Sequence, residues 1–161
     1  MKKVVFTPIG IIHSPFKTSK GTPVQSPHAK EAEGTVEVFP EYAEGLADLD
    51  GFSHLLLLYH FHKSEGFNLK VTPFLDSEVR GVFATRAPRR PNSIGLSITK
   101  LVRIEDNVIH VKWLDILDGT PLLDIKPYVN FFDNPGEEIR TGWLTGKKQS
   151  ASKIKADKRF L

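Results

Sequence analysis

The sequence predicts an all-β protein, a compact antiparallel β-barrel. Three observations carry that expectation. Short apolar runs with period-two alternation recur along the chain, separated by Gly, Pro, Asn and Asp at turn positions. Nothing in the body carries the i, i+3, i+4 spacing of an amphipathic helix. The 161 residues suffice for one domain with its own core, without disulfides or a structural metal.

Taken in order, "VFTPIGIIH" opens the first strand. The next segment, "SPFKTSKGTPVQSPHAKEAEG", holds three prolines and two glycines and reads as a long loop. Loops of that length in a compact domain are usually functional or mobile. "TVEVF" alternates and forms a strand. "PEYAEGLADLDG" suits a short helical turn. "FSHLLLLYHFH" is continuously apolar and fits a buried strand. "LSITKLVRI" puts Leu96, Ile98, Val102 and Ile104 on one face and Ser97, Thr99 and Arg103 on the other. "VIHVKWL" sets Ile109, Val111 and Trp113 opposite His110 and Lys112. Glu105-Asp106-Asn107 joins these two as an antiparallel hairpin. "PLLDIKPYV" adds a last strand after the turn "DGT". Many short strands of this kind indicate a barrel or sandwich.

Composition narrows the function. The chain has no cysteine, which excludes disulfides, thiolate zinc sites and thiol nucleophiles and fits a reducing compartment. The N-terminal apolar run is broken by Thr7, Pro8 and Gly10, unlike a signal peptide. No apolar stretch reaches the roughly 18 residues of a membrane span. A soluble, cytoplasmic protein is expected. The net charge of +3 is unevenly placed. Residues 146–161 hold six Lys/Arg against one Asp, so the rest of the chain is slightly acidic. Such a tail can hold a polyanion such as RNA, or be a plain solvated end. The body is expected to span residues 1–136, with a basic extension over 137–161.

Three constellations can carry chemistry. In "GVFATRAPRRPNSIG", Pro88 and Pro91 stiffen a loop bearing Arg86, Arg89 and Arg90. Fixed guanidinium forks suit a carboxylate or phosphate, and Asn92 can read a base edge. A turn whose arginines pair with surface acids is the plain alternative. In "WLDILDGTPLLDIKPY", Asp115, Asp118 and Asp124 fall within ten residues, around the turn signal Asp118-Gly119. A rigid loop presenting a carboxylate is one reading, and an ordinary β-turn is the simpler one. Finally, His60 and His62 share a strand face, and such a pair can begin a metal site. His13, His54 and His110 supply no third ligand at suitable spacing, so histidines near a pocket are preferred and no metal is expected. There is no G-x-G-x-x-G, Walker loop, nucleophile elbow or RNP motif.

"IGIIHSPF", "FSHLLLLYHFH", "GVFATRAPRRPNSIG" and "LDILDGTPLLDIKPYV", in that order, resemble the TsaA-like family, also called TrmO or YaeB. The resemblance covers about residues 6–133. It implies a β-barrel unlike the Rossmann methyltransferases, binding of S-adenosyl-L-methionine (SAM), a homodimer with cofactor sites near its interface, and methylation of N6-threonylcarbamoyladenosine beside the tRNA anticodon. Matched position by position, it implies cofactor contacts at Pro23, Val24, Gln25, His62, Lys63, Arg86, Leu96, Asp118, Gly119, Thr120 and Pro121. Arg90, Pro91 and Asn92 match the R-P-N that follows A-T-R. Arg89, Arg90 and Asn92 are expected on the substrate side. Asp118, as base or orienting group, and Arg86 are the catalytic candidates. Val24 stands where the family often has arginine, Arg89 where many members carry an aromatic residue or histidine, and Ser93 where proline is frequent. The larger bacterial members also have a C-terminal domain. Two rival readings differ in class: a metal-dependent β-barrel enzyme using His60 and His62, and a non-catalytic RNA-binding module.

Overall fold

The computed structural model of the chain describes residues 2–19, 29, 31–134, 136–147 and 156. Among the described residues, eight strands run β1 (Gly10–His13), β2 (Glu33–Val38), β3 (His54–His60), β4 (Lys70–Val71), β5 (Arg80–Gly81), β6 (Ile94–Glu105), β7 (Val108–Lys112) and β8 (Thr120–Pro127). Six of them close into a barrel in the order β1-β2-β7-β6-β3-β8, with β8 paired back onto β1. Every adjacent pair is antiparallel. Closure gives each of these six strands a partner on both sides. β4 and β5 form a separate two-stranded ribbon that the alternation did not reveal.

The barrel follows from side-chain alternation. Ile12, Val36, Val38, Leu55, Leu57, Ile109, Val111 and Leu122 point inward and are sealed from solvent. Each such burial contributes about 1.5–3 kcal/mol. Glu33, Thr35 and Glu37 alternate outward on β2. "PEYAEGLADLDG" forms two 3₁₀ turns, Pro40–Leu46 and Leu49–Gly51. The hairpin between β6 and β7 turns at Asp106, whose φ is +53°.

Two facings differ from the sequence expectation. On β6 the small and hydroxyl-bearing residues point inward: Gly95, Ser97, Thr99 and then Leu101 are buried, while Leu96 is 46% and Val102 45% exposed. The reason is Tyr59. Its ring, on the facing position of β3, occupies the interior where a Gly95 side chain would project. A register shift between Leu101 and Arg103 then reverses the phase, so Ile104 packs against the core despite its parity with Leu96. Trp113 also leaves its expected face. Its φ of +65° turns the chain at the end of β7, and the ring meets His54 at a tilt, centroids 4.9 Å apart. Leu114 and Ile116 enter the core instead.

Candidate functional site

The barrel's open end holds one large cavity, about 950 Å³ in volume. That size suits a small organic ligand. Tyr59, Phe61, His62 and Lys63 reach it from the end of β3, and Ile94, Gly95 and Leu96 from the start of β6. The arginine loop, residues 115–117 and Thr120 complete the barrel-side wall, and Trp143 and Leu144 return from the C-terminal segment.

At the mouth of the barrel, three side chains form a hydrogen-bonded line. Ser97 Oγ donates to Asp115 Oδ1 at 2.7 Å. A hydroxyl has one proton, so the Ser97 oxygen accepts from the Tyr59 hydroxyl, 3.0 Å away. Burial, and then the Asp115 charge, push the Tyr59 phenol well above its ordinary pKa. Tyr59 is therefore a neutral donor that orients Ser97, and Asp115 brings a carboxylate to the cavity. Of the three aspartates in this part of the sequence, only Asp115 lines it. Asp124 pairs with Lys126 at 2.8 Å on the outside.

The arginine loop begins as a 3₁₀ turn over Val82–Ala84. Thr85 Oγ1 donates to the Val82 carbonyl at 2.8 Å and accepts the Ala87 N–H at 3.2 Å. Arg90 Nη1 donates to the carbonyls of Thr85, at 3.1 Å, and Ala87, at 3.3 Å. Arg90 thus braces the loop from within, together with the prolines. Arg86 is exposed and lines the cavity. Arg89 lies outside the lining, and its carbonyl accepts the Asn68 N–H at 3.3 Å. Asn92 is exposed beyond the wall, where its carbonyl accepts the Ile94 N–H.

His60 and His62 do not share a face. β3 ends at His60, and the His62 N–H turns back to the His60 carbonyl at 2.8 Å. His60 is exposed outside the barrel, whereas His62 lines the cavity, its Nδ1 at 3.3 Å from Thr120 Oγ1. Among the described residues no group of three or more His, Asp or Glu is placed to hold a metal ion. The shared His60/His62 face on which the metal-enzyme reading rested is not formed.

Of the residues proposed from the sequence, His62, Lys63, Arg86, Arg90, Leu96 and Thr120 come together around this cavity. Pro23, Val24 and Gln25 lie outside the described residues. Asp118, Gly119 and Pro121 are not among the residues lining this cavity. Asp118 accepts the Ser14 N–H at 3.0 Å and pairs with Lys17 at 2.7 Å. Lys17, then the Ser14 N–H, hold its carboxyl below the usual range. Gly119, with φ of +73°, makes the turn and donates to the Ile12 carbonyl at 2.9 Å. Sequence reasoning missed Tyr59, Ser97, Asp115, Phe83 and Trp143 as site residues. Only Asp115 carried a signal, its place in the aspartate cluster. Trp143, in the stretch assigned to a separate extension, donates from Nε1 to the Ala84 carbonyl at 2.7 Å.

Comparison with known proteins agrees with this geometry. Residues 11–134 match the family model described as the tRNA-methyltransferase O N-terminal domain. A probable S-adenosyl-L-methionine-binding protein of Pyrococcus abyssi is 53% identical over 158 residues, covering 98% of this chain and 85% of the relative. The tRNA (adenine(37)-N6)-methyltransferase of Mus musculus is 38% identical over 135 residues, 80% of this chain but 31% of that protein. The crystal structure of TrmO from Pseudomonas aeruginosa superposes with a TM-score of 0.74 at 38% identity, covering 88% of this chain and 63% of that one. The chain thus spans less than two thirds of the solved TrmO chain. With the same barrel, and with relatives matched over almost its whole length, the chain belongs to the tRNA-methyltransferase O (TrmO) family.

Proposed function

We propose that this protein is a SAM-dependent methyltransferase acting on N6 of adenosine in tRNA, with the threonylcarbamoylated adenosine beside the anticodon as its substrate. The observation that carries the proposal is the composition of the cavity wall. SAM is an ampholyte with a flat adenine, and its charged groups need both signs. Asp115 suits its amine, Arg86 and Lys63 suit its carboxylate, and Leu96, Phe61 and Ile116 offer apolar surface for the ring. The residues present fit the group. When bound, SAM supplies an electrophilic methyl carbon. The chain's task is then to hold the acceptor nitrogen in line with that carbon, about 3–3.5 Å away, and to exclude water.

The acceptor approaches over a rim of Arg86, Lys63 and Phe83, the last of these 74% exposed. Cations beside an exposed aromatic face suit an unstacked base and its phosphates. Asn92, exposed at the end of the arginine loop, extends this rim. Arg90 acts on the substrate side by shaping the loop, because its guanidinium is engaged by two carbonyls. The proton-accepting role expected of Asp118 is not carried forward, since that carboxylate already pairs with Lys17.

Homodimerisation is supported by the outer surface. Leu58 faces Leu96, and Leu56 faces Ile98, across β3 and β6 on the outside of the barrel. With Ile94 and Leu96 37% and 46% exposed, this is an apolar strip at the cavity's rim. No helix among the described residues is long and apolar enough to cross a membrane. A tRNA substrate fits a cytoplasmic protein.

The test is methyl transfer from labelled SAM to tRNA prepared with and without threonylcarbamoylation, followed by nucleoside analysis. Label in N6-methylated threonylcarbamoyladenosine supports the proposal. Salt-dependent tRNA binding with no SAM binding would instead support the RNA-binding module.

A further inference from the structure

Thr120 has one hydroxyl proton, and it is donated to the Leu117 carbonyl at 2.7 Å. Toward His62 Nδ1, 3.3 Å away, the Thr120 oxygen can only accept. His62 must therefore carry its proton on Nδ1, which leaves Nε2 with a free lone pair. Both side chains line the cavity. This departs from a plain cofactor contact, because a neutral imidazole with a fixed tautomer is a proton acceptor by construction.

We propose that His62 is the general base of the reaction, taking the N6 proton of the acceptor adenosine on Nε2 while Thr120 and Leu117 fix its tautomer. The inference rests on the methyltransferase reading above. An N6 flanked by a purine ring and a carbonyl is a poor nucleophile while it keeps its proton. As N6–H breaks, the proton passes to Nε2 and the nitrogen pair forms the new bond to the methyl carbon. The S–CH3 bonding pair goes to sulfur, leaving a neutral thioether, and the imidazolium then loses its proton to solvent. Thr120 is a positioning residue.

The surroundings keep the base form available. Partial burial, then Lys63 and His60, lower the His62 pKa from 6.5, against a smaller opposing effect of the His60 carbonyl. From other parts of the fold, Lys17, Tyr59, Arg86, Arg90 and Asp115 share the cavity with it. Since the pKa is lowered, the acid limb of the rate should fall below 6.5.

The tautomer is read without turnover, by long-range nitrogen–proton NMR on the full chain labelled in its histidines. The expected result is an Nδ1–H signature for His62 in the wild type and its loss in Thr120→Val. An Nε2–H wild type overturns the proposal. The second measurement is single-turnover methylation by His62→Asn, whose amide can still donate to Thr120 but has no basic nitrogen. The proposal expects a rate, measured at saturating SAM, lower by about 10²–10⁴. Wild-type transfer with His62→Asn equally fast overturns the base alone. Failure of the wild type to methylate any tRNA removes the methyltransferase reading and the base together.

Discussion

Tyr59 and Gly95 face each other across β3 and β6 so closely that a methyl group on Gly95 would overlap the Tyr59 ring. The absent side chain is what admits the ring to the barrel's mouth, where its hydroxyl meets Ser97. Gly95→Ala should expel the ring and break the line to Asp115. Overpacking of this kind costs about 1–3 kcal/mol, read as an earlier urea midpoint. Calorimetry should show weaker SAM binding in the same variant. Unchanged stability and affinity would mean that the ring has another place to go.

Arg86 and Arg90 share a loop but should fail differently. Arg86→Ala, at an exposed position, should shift stability by no more than about 0.5 kcal/mol and reduce turnover at least about tenfold, as expected for a lost positioning contact. Arg90→Ala should lose about 1.5–3 kcal/mol through its two charge-assisted bonds. Arg90→Lys should not restore it, since an ammonium lacks the planar fork. Thermal melts beside turnover separate the two, and full activity in a folded Arg86→Ala variant would remove Arg86 from the site.

Acid should loosen the C-terminal wall of the cavity. Asp76 accepts both Arg80 Nε, at 2.9 Å, and Nη2, at 2.8 Å, and lies 3.1 Å from Lys147. Arg80 first, with Lys147 assisting, lowers its pKa from 3.8 to about 2. A depressed carboxyl pKa stabilises the fold above the unfolded value, and that contribution is lost as pH falls through the folded one. The stability difference between wild type and Asp76→Asn should therefore be constant above about pH 5, fall as pH drops through 3.8 and 2, and vanish about one pH unit below the folded value. A difference that persists at the acid end would show that the aspartate acts by shape and not by charge.

The apolar strip outside β3 and β6 predicts a dimer that one charge can split. Ile98→Glu should give monomers in sedimentation, with an unchanged far-ultraviolet spectrum, because Ile98 points away from the core. A monomeric wild type would contradict the dimer directly.

Much of this was legible in the chain. The alternation of "TVEVF" and "VIHVKWL", the apolar run of β3 and the acidic turn before Val108 carry local information, and the barrel assembles from them. The inward face of β6 was hidden because it depends on a partner. Gly95 and Ser97 look like solvent-side residues until Tyr59 stands opposite them. The bulge after Leu101 has no sequence marker of its own. The partners of Asp118 were hidden for a related reason: Ser14 and Lys17 are about a hundred residues away in the chain. Asp115 reaches the cavity because the turn at Trp113 redirects the backbone just before it.

The long connection between β1 and β2 is fastened at both roots to one short segment. Asp118 and Gly119 hold its start through Ser14, Phe16, Lys17 and Ile12. Leu114 holds its end, donating to the Ala32 carbonyl at 3.2 Å. The span to be bridged is set by these fasteners and not by what lies between them. The entropic cost of closing a connection rises only by about 0.6 kcal/mol for each doubling of its length. A residue added between these two fasteners should therefore leave the pairing of β1 and β2 intact.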